Sequence, residues 1–392
     1  MTPVSDPPAP SPPWGAAARA HWALAPDVAY LNHGGFGLTP LVVLAEQDRW
    51  RARIESNPTR FLGCEIEEAL RAAVRPVAEA VGASAEDLVF VENATAGLNA
   101  VLRALDFEPG DEILITSLSY PAIRKAAHYA ASRSGVRVVE VALRLPLATD
   151  GEVLRAVAAR LGFRTKLAIF DHIASHSALI LPVAALTRLA HEAGARVLID
   201  GAHAPGMIAL DIPAIGAEWY VGNLHKWYFA PRSCGFLWAA KPAQALIHPL
   251  AISHGYGDGF QAEFEWTGTR DVTAALAAPA ALAFHRQLGG TALMDRNVAM
   301  ARAAAMRLSR LWRSEISGPP EAFGAMATIR LPLSGQADAA RLAALTRDVS
   351  ERHRIEAAFV ALEGAAWVRI AVQAYNADEE YDRLGAILRA AS

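Results

Sequence analysis

From residue 88 onward, short apolar runs alternate with longer segments whose apolar positions recur at helical spacing. This is the pattern of βα units wound around a mainly parallel sheet. The runs Leu88–Val91, Glu112–Thr116, Val136–Val141, Lys166–Asp171, Arg196–Ile199, Glu218–Val221 and Cys234–Trp238 are the predicted strands. Helices are expected from the Asn93 cap to about Leu105, from Pro121, over Glu152–Leu161, and over Pro182–Ala193 with Gly194 as C-cap. Further on, the pattern fits a smaller α+β unit. It has a helix over Ala292–Leu311 with Thr291 as N-cap, a strand over Met326–Leu333, a helix over Ala339–His353, a strand over Trp367–Gln373 and a final helix. Before residue 88, Trp14–Ala25 reads as a helical arm, and residues 41–81 as one or two charged surface helices. The first 13 residues hold six prolines and read as a disordered or polyproline tail. The domain scheme that follows is a tail (1–13), an N-terminal arm (14–40), a large domain (41–280) and a small C-terminal domain (281–392).

Composition narrows the class. With 392 residues, 53% of them hydrophobic, the chain can bury a large core. A net charge of −3 without a long basic run argues against nucleic acid as the main partner. Cys64 and Cys234 are far apart and outside any Cys/His cluster, so neither a disulfide framework nor a metal site is indicated and a reducing cytoplasm fits. No apolar stretch approaches the ~18 residues of a membrane span, and the proline-rich start does not read as a signal peptide.

The chemistry gathers where predicted strands end. Lys226 stands alone among apolar and aromatic residues in Val221–Pro231. Burial there would lower its pKa and free an amine for Schiff-base formation, while a snorkelling or ion-paired lysine is the bland alternative. Asn93-Ala94-Thr95 opens a helix with no acidic residue in its first turn, a seat for a phosphate or merely a capped helix. Tyr120 follows one strand and Asp200 another, at the edge where open α/β sheets bind ligands. Asp200 needs a partner such as a ring N–H⁺. Three glycines within Gly34–Gly37 bring the backbone close to a ligand or to another loop. Arg369, among Val368, Ile370 and Val372, wants a bidentate partner, either a substrate carboxylate or an internal one. A lysine, an aspartate, an anion seat and an aromatic at successive strand ends together describe a pyridoxal phosphate (PLP) site.

The segments Leu31-Asn32-His33-Gly34, Asn93-Ala94-Thr95, Asp171-His172-Ile173, Asp200-Gly201-Ala202-His203-Ala204-Pro205-Gly206, His225-Lys226-Trp227 and Trp266–Asp271 resemble the class V aminotransferase superfamily. Within it they resemble the isopenicillin N epimerase-like branch, which also takes in ergothioneine-pathway C–S lyases. The resemblance implies the PLP fold type I, with a mainly parallel seven-stranded sheet, helices on both faces and a smaller C-terminal α+β domain. It makes Lys226 the internal aldimine and the proton shuttle at Cα, with Asp200 on the pyridine nitrogen. His203 would lie near the ring or phosphate, Tyr120 on the ring, and Ser175 close to the phenolic oxygen. Ala94, Thr95 and His225 would contact the phosphate. Thr267, Gly268 and Thr269 would reach the neighbouring subunit's phosphate in a homodimer. Arg369 would bind the substrate carboxylate, and Asn32, His33, His176 and His254 would line the substrate region. The implied reaction runs through an external aldimine and a quinonoid carbanion of an amino acid. Epimerisation or racemisation comes first; a C–S β-lyase, an aminotransferase and a non-catalytic binding protein are the alternatives. A cysteine desulfurase is disfavoured, because neither cysteine falls on a loop near the substrate.

Overall fold

The computed structural model describes residues 14–333 and 337–390; the expected proline-rich tail lies outside them. The strands are β1 (Ala29–Tyr30), β2 (Leu88–Val91), β3 (Glu112–Thr116), β4 (Arg137–Val141), β5 (Thr165–Asp171), β6 (Arg196–Gly201), β7 (Trp219–Asn223), β8 (Gly235–Ala239), β9 (Met326–Arg330), β10 (Ile355–Glu356), β11 (Ala358–Leu362) and β12 (Ala365–Ala371). Seven of them form one sheet in the order β2-β8-β7-β6-β5-β3-β4, in which β8 runs antiparallel to both neighbours and the other pairings are parallel. Side-chain alternation divides these strands between two cores. Leu88, Phe90, Leu114, Phe170, Val197 and Ile199 enter one, and Val89, Val91, Ile113, Ile115, Ile169 and Leu198 the other. Burial on both faces is why these segments read as continuous apolar runs.

The helix Ala94–Ala104 lies against β7 and β8. A side chain on its Gly97 would stand 2.9 Å from Val221 Cγ1, so glycine sets that close approach. Along the chain, β4 is added outside β3, whereas β5, β6 and β7 are added on β3's other side. The connections therefore diverge at the carboxyl ends of β3 and β5 and leave a crevice there. Because β2 runs in the same direction as β7, the helix starting at Ala94 opens on that same edge.

A second sheet, antiparallel and ordered β11-β12-β9, packs with the helices Thr291–Trp312 and Asp378–Ala390 to form the small C-terminal α+β part. The N-terminal segment fastens onto it: β1 pairs with β10, and the Ala371 amide donates to Leu31 O at 2.8 Å.

Several expectations are corrected. The helical arm is a 3₁₀ turn, Gly15–His21, that ends where Trp22 turns extended. The residues after it turn at Pro26 and Asp27, where the Val28 amide donates to Ala25 O at 3.2 Å and Arg19 Nη2 donates to Ala25 O and Val28 O. Residues 41–81 hold the helices Leu41–Ser56, Pro58–Arg60 and Ile66–Ala80 with a π-helical turn at Phe61–Glu65. Of these, Ile66–Ala80 is no surface helix, because it buries Leu70, Val74 and Val77. Thr291 is the first helical residue and Gly290 occupies the cap. The strand expected over Trp367–Gln373 runs Ala365–Ala371.

Candidate active site

The carboxyl edge of the large sheet encloses a cavity of about 250 Å³ lined by Thr95, Tyr120, Asp171, Asp200, His203 and Lys226 among others. Lys226 arrives on the turn between β7 and β8 and is 9% exposed. Two glycines let other backbone abut that turn. A Cβ on Gly37, at φ 68°, would collide with the His225 carbonyl, and one on Gly206, at φ 81°, would come within 2.7 Å of Trp227 C. The Gly34–Gly37 stretch thus makes its close approach to the lysine loop.

Lys226 Nζ lies 3.2 Å from His203 Nε2. Burial first, then the positive charge of Arg369, draws the amine down to about 7 against the pull of Asp200. Burial, reinforced by Lys226 and Arg369, holds His203 well below the usual imidazole range. With Nε2 accepting from the amine, the neutral His203 ring is assigned its proton on Nδ1.

Asp200 and Asp171 are direct partners across the β5–β6 ladder, 4% and 2% exposed. Asp200 Oδ1 accepts from the Ala202 amide at 3.0 Å, and Asp171 Oδ1 from the Tyr120 amide at 3.3 Å. Burial raises both carboxyls, and for Asp171 the charge of Asp200 is the next cause. Two carboxyls so placed do not both ionise, and the nearby Lys226 favours Asp200 as the anion.

Arg369, on β12, is 5% exposed. Its Nη1 donates to Ser175 O at 2.8 Å and Ser175 Oγ at 3.1 Å, and its Nη2 to Asn32 Oδ1 at 2.8 Å. Burial lowers its pKa to about 10, which leaves it charged at neutral pH. No carboxylate pairs with it among the described residues. Its Nε, Asp171 Oδ2 and His203 Nδ1 are all buried without a hydrogen-bond partner, a concentration of unmet polar groups that points to a ligand.

At the helix start, Asn93 Oδ1 caps the Ala96 amide at 2.9 Å. The Ala94 amide, expected on a phosphate, is occupied by Asn223 Oδ1 at 2.8 Å, so Ala94 shapes the wall instead of donating from it. The Thr95 amide and hydroxyl remain without a described protein acceptor. His225 Nδ1 is 3.0 Å from Cys234 O, which leaves Nε2 as its other polar atom; burial brings the ring down to about 4.

The structure thus brings Ala94, Thr95, Tyr120, Ser175, Asp200, His203, His225 and Lys226 to one cavity. Asn32 and Arg369 are joined to its wall through Ser175, and His176 stands edge-on to Tyr120 at 6.4 Å between centroids. His33 does not reach the substrate region. It is fully buried, with Nδ1 2.8 Å from the Tyr375 hydroxyl and Nε2 2.9 Å from Lys226 O, and it braces the lysine loop. His254 lines a separate hollow beside Cys64. Thr267 faces another, with Glu92 and Arg270, and neither Gly268 nor Thr269 lines the central cavity. Asn223, Asp171 and Arg232 were missed by sequence reasoning. Asp171 carried a signal, an aspartate ending an apolar strand like Asp200, whereas Asn223 and Arg232 look like ordinary loop polarity.

A lysine amine, a facing aspartate, an aromatic and a capped helix start at the switch edge of a mixed sheet define a PLP enzyme of fold type I. The chain belongs to the aminotransferase class-V family, whose model matches residues 29–384, and pyridoxal phosphate is its cofactor. It is 33% identical to the isopenicillin N epimerase of Streptomyces clavuligerus over 95% of this chain and 97% of that one. It is 30% identical to an L-cysteine desulfhydrase of Arabidopsis thaliana, over 91% and 86%. Among solved structures it is similar to a C-DES mutant with glycine covalently linked to the PLP cofactor (TM-score 0.82, 21% identity, 94% of this chain and 98% of that one).

The residues present fit the cofactor. Lys226 would hold its aldehyde carbon, Asp200 its ring nitrogen, Tyr120 its face, and Thr95 with His225 its phosphate.

Proposed function

We propose that this protein is an amino-acid epimerase or racemase in which Lys226 moves the Cα proton. The observation that carries the reading is the Lys226 amine, buried 3.2 Å from a neutral His203 and in the same cavity as Asp200. Arg369 grips the α-carboxylate, because a buried guanidinium without an acidic partner is a ready bidentate seat. Bound PLP supplies a carbonyl for the lysine and an electron sink for charge developing at Cα. Asp200, as an anion, holds a proton on the ring nitrogen. The Lys226 amine takes the Cα proton from one side, as a base whose pKa of about 7 matches the task. The hydroxyl of Tyr120, a half-exposed residue that lines the cavity, is the donor for the other side, with His176 at its ring's edge.

A second reading, C–S β-elimination, is favoured by the likeness to the L-cysteine desulfhydrase. It uses the same base, with Tyr120 as acid for the leaving thiol. Cysteine desulfuration finds no support: the Cys234 thiol is buried and held above its ordinary range, and Cys64 lies in another hollow. Two further points belong to the proposal. The chain works as a homodimer, which gives Thr267–Thr269 a partner site to reach and covers exposed Phe36, Leu41, Val42, Leu250, Ile252 and Tyr256. It resides in the cytoplasm, consistent with two unpaired cysteines. No helix among the described residues is long and apolar enough to cross a membrane.

Chiral chromatography after incubation with L- and D-amino acids and S-substituted cysteines tests the reading. Stereoinversion without pyruvate is expected, and stoichiometric pyruvate with thiol release would replace epimerase by lyase.

A further inference from the structure

Arg232 lines the central cavity together with Lys226, and its charge is unmatched. Its guanidinium makes one described hydrogen bond, from Nη2 to Gly37 O at 3.1 Å, and no described carboxylate pairs with it. Most of its five N–H donors therefore have no described protein acceptor, on an exposed side chain that lines the cavity. Its placement is specific. Pro231 precedes it, and Ser233 after it adopts the left-handed conformation at φ 66°, an unusual choice for a residue with a side chain. Its charge is felt by Tyr30, His33 and His225. Arg232 and Arg369 also share a wall: Arg232 is bonded to Gly37 and Arg369 to Asn32, two ends of one short segment. Glu92, an acid on the same cavity, lies 3.9 Å from Arg270 and faces that cation instead.

On the reading that Arg369 takes the α-carboxylate, a second guanidinium with free donors has no assigned anion. We infer that Arg232 is a second anion-recognition point of this cavity, for an anionic group that does not itself react. The chemistry is that of a carboxylate, sulfonate or phosphate met by a planar donor fork. Two sources offer it: a distal acid on the substrate side chain, and the phosphate of the cofactor. In the first case the enzyme prefers amino acids with an acidic far end. In the second, Arg232 adds the positive charge that the neutral donors Thr95 and His225 lack.

The test compares the full-length wild type with Arg232→Ala and Arg232→Lys, with far-UV circular dichroism checking the fold. One arm titrates cofactor-depleted protein with PLP and with pyridoxal. A second titrates the holoenzyme with L-glutamate and with L-alanine, read by the visible spectrum. A third measures inorganic phosphate and glutarate binding to cofactor-depleted protein by calorimetry, and so works even if the PLP reading fails. Arg232→Ala is expected to weaken one anion-bearing ligand about tenfold or more relative to its neutral counterpart, with partial recovery in Arg232→Lys. A loss confined to PLP over pyridoxal assigns the cofactor phosphate, and a loss confined to glutamate over alanine assigns a distal substrate acid. Equal changes across each pair, or none, together with unchanged phosphate and glutarate binding, would overturn the inference.

Discussion

Replacing Arg369 by methionine gives the sharpest view of substrate recognition. The guanidinium is buried, holds Ser175 and Asn32, and keeps Nε free. Truncating one partner of a buried, hydrogen-bonded charge pair costs about 2–5 kcal/mol, which at about 1.4 kcal/mol per tenfold is roughly 30- to 4,000-fold in kcat/KM. The loss should fall mainly on KM, because the α-carboxylate is bound equally before and during proton removal. A second consequence is specific to this geometry. Arg369 depresses the Lys226 amine, so removing it lets the lysine pKa rise and carries the acid limb of the pH–rate profile upward. The assay is steady-state kinetics from about pH 6 to 10 with an amino acid and with its decarboxylated amine, and the variant should lose most of its preference for the acid. An unchanged KM and an unmoved acid limb would refute the reasoning.

Further expectations concern the site's other charges. Asp200→Asn removes the anion facing the ring nitrogen and should lower kcat by at least ~100-fold, while Asp171→Asn, which replaces a carboxyl already held neutral by its neighbour, should change kcat by less than ~3-fold. Equal losses in stopped assays of the two variants would show that the proton does not rest on Asp171. In cofactor-free protein the Lys226 pKa of about 7 lies below its unfolded value, so the folded state binds fewer protons between about pH 7 and 10 and its stability rises with pH there. Thermal melts of wild type against Lys226→Met should therefore be furthest apart at about pH 7 and below and converge toward pH 10; a gap that does not change with pH would contradict the shift. Gly37→Ala should lower Tm by several degrees through its collision with the His225 carbonyl, and an unchanged melt would mean the loop yields freely.

How much of this was legible depends on what each feature needs. Strands buried on both faces, such as Phe90 and Ile115 with their neighbours, announce themselves as apolar runs. β11 is apolar along all of Ala358–Leu362 as well, yet it went unpredicted, and the structure leaves it a half-buried strand at the sheet edge. Lys226, Asp200 and Thr95 stand at strand ends or helix starts, so local patterning exposes them. His33 was placed in the substrate region by the family resemblance; only tertiary packing shows both ring nitrogens already taken. Ala94 was assigned to the phosphate by the family resemblance, and the Asn223 side chain that occupies its amide comes from β7, far along the chain. Arg232 gives no local signal, since its unmatched charge is a property of the assembled cavity.

Hydrogen exchange at Cα tests the central claim most directly. Purified protein is incubated with a panel of amino acids in deuterated water, and deuterium at Cα is read by NMR or mass spectrometry for wild type and Lys226→Ala. The account predicts rapid incorporation with at least one amino acid in the wild type, none in the variant, and borohydride tagging confined to Lys226. Exchange that survives in Lys226→Ala, or a cofactor tag on Lys166 or Lys125, would contradict it.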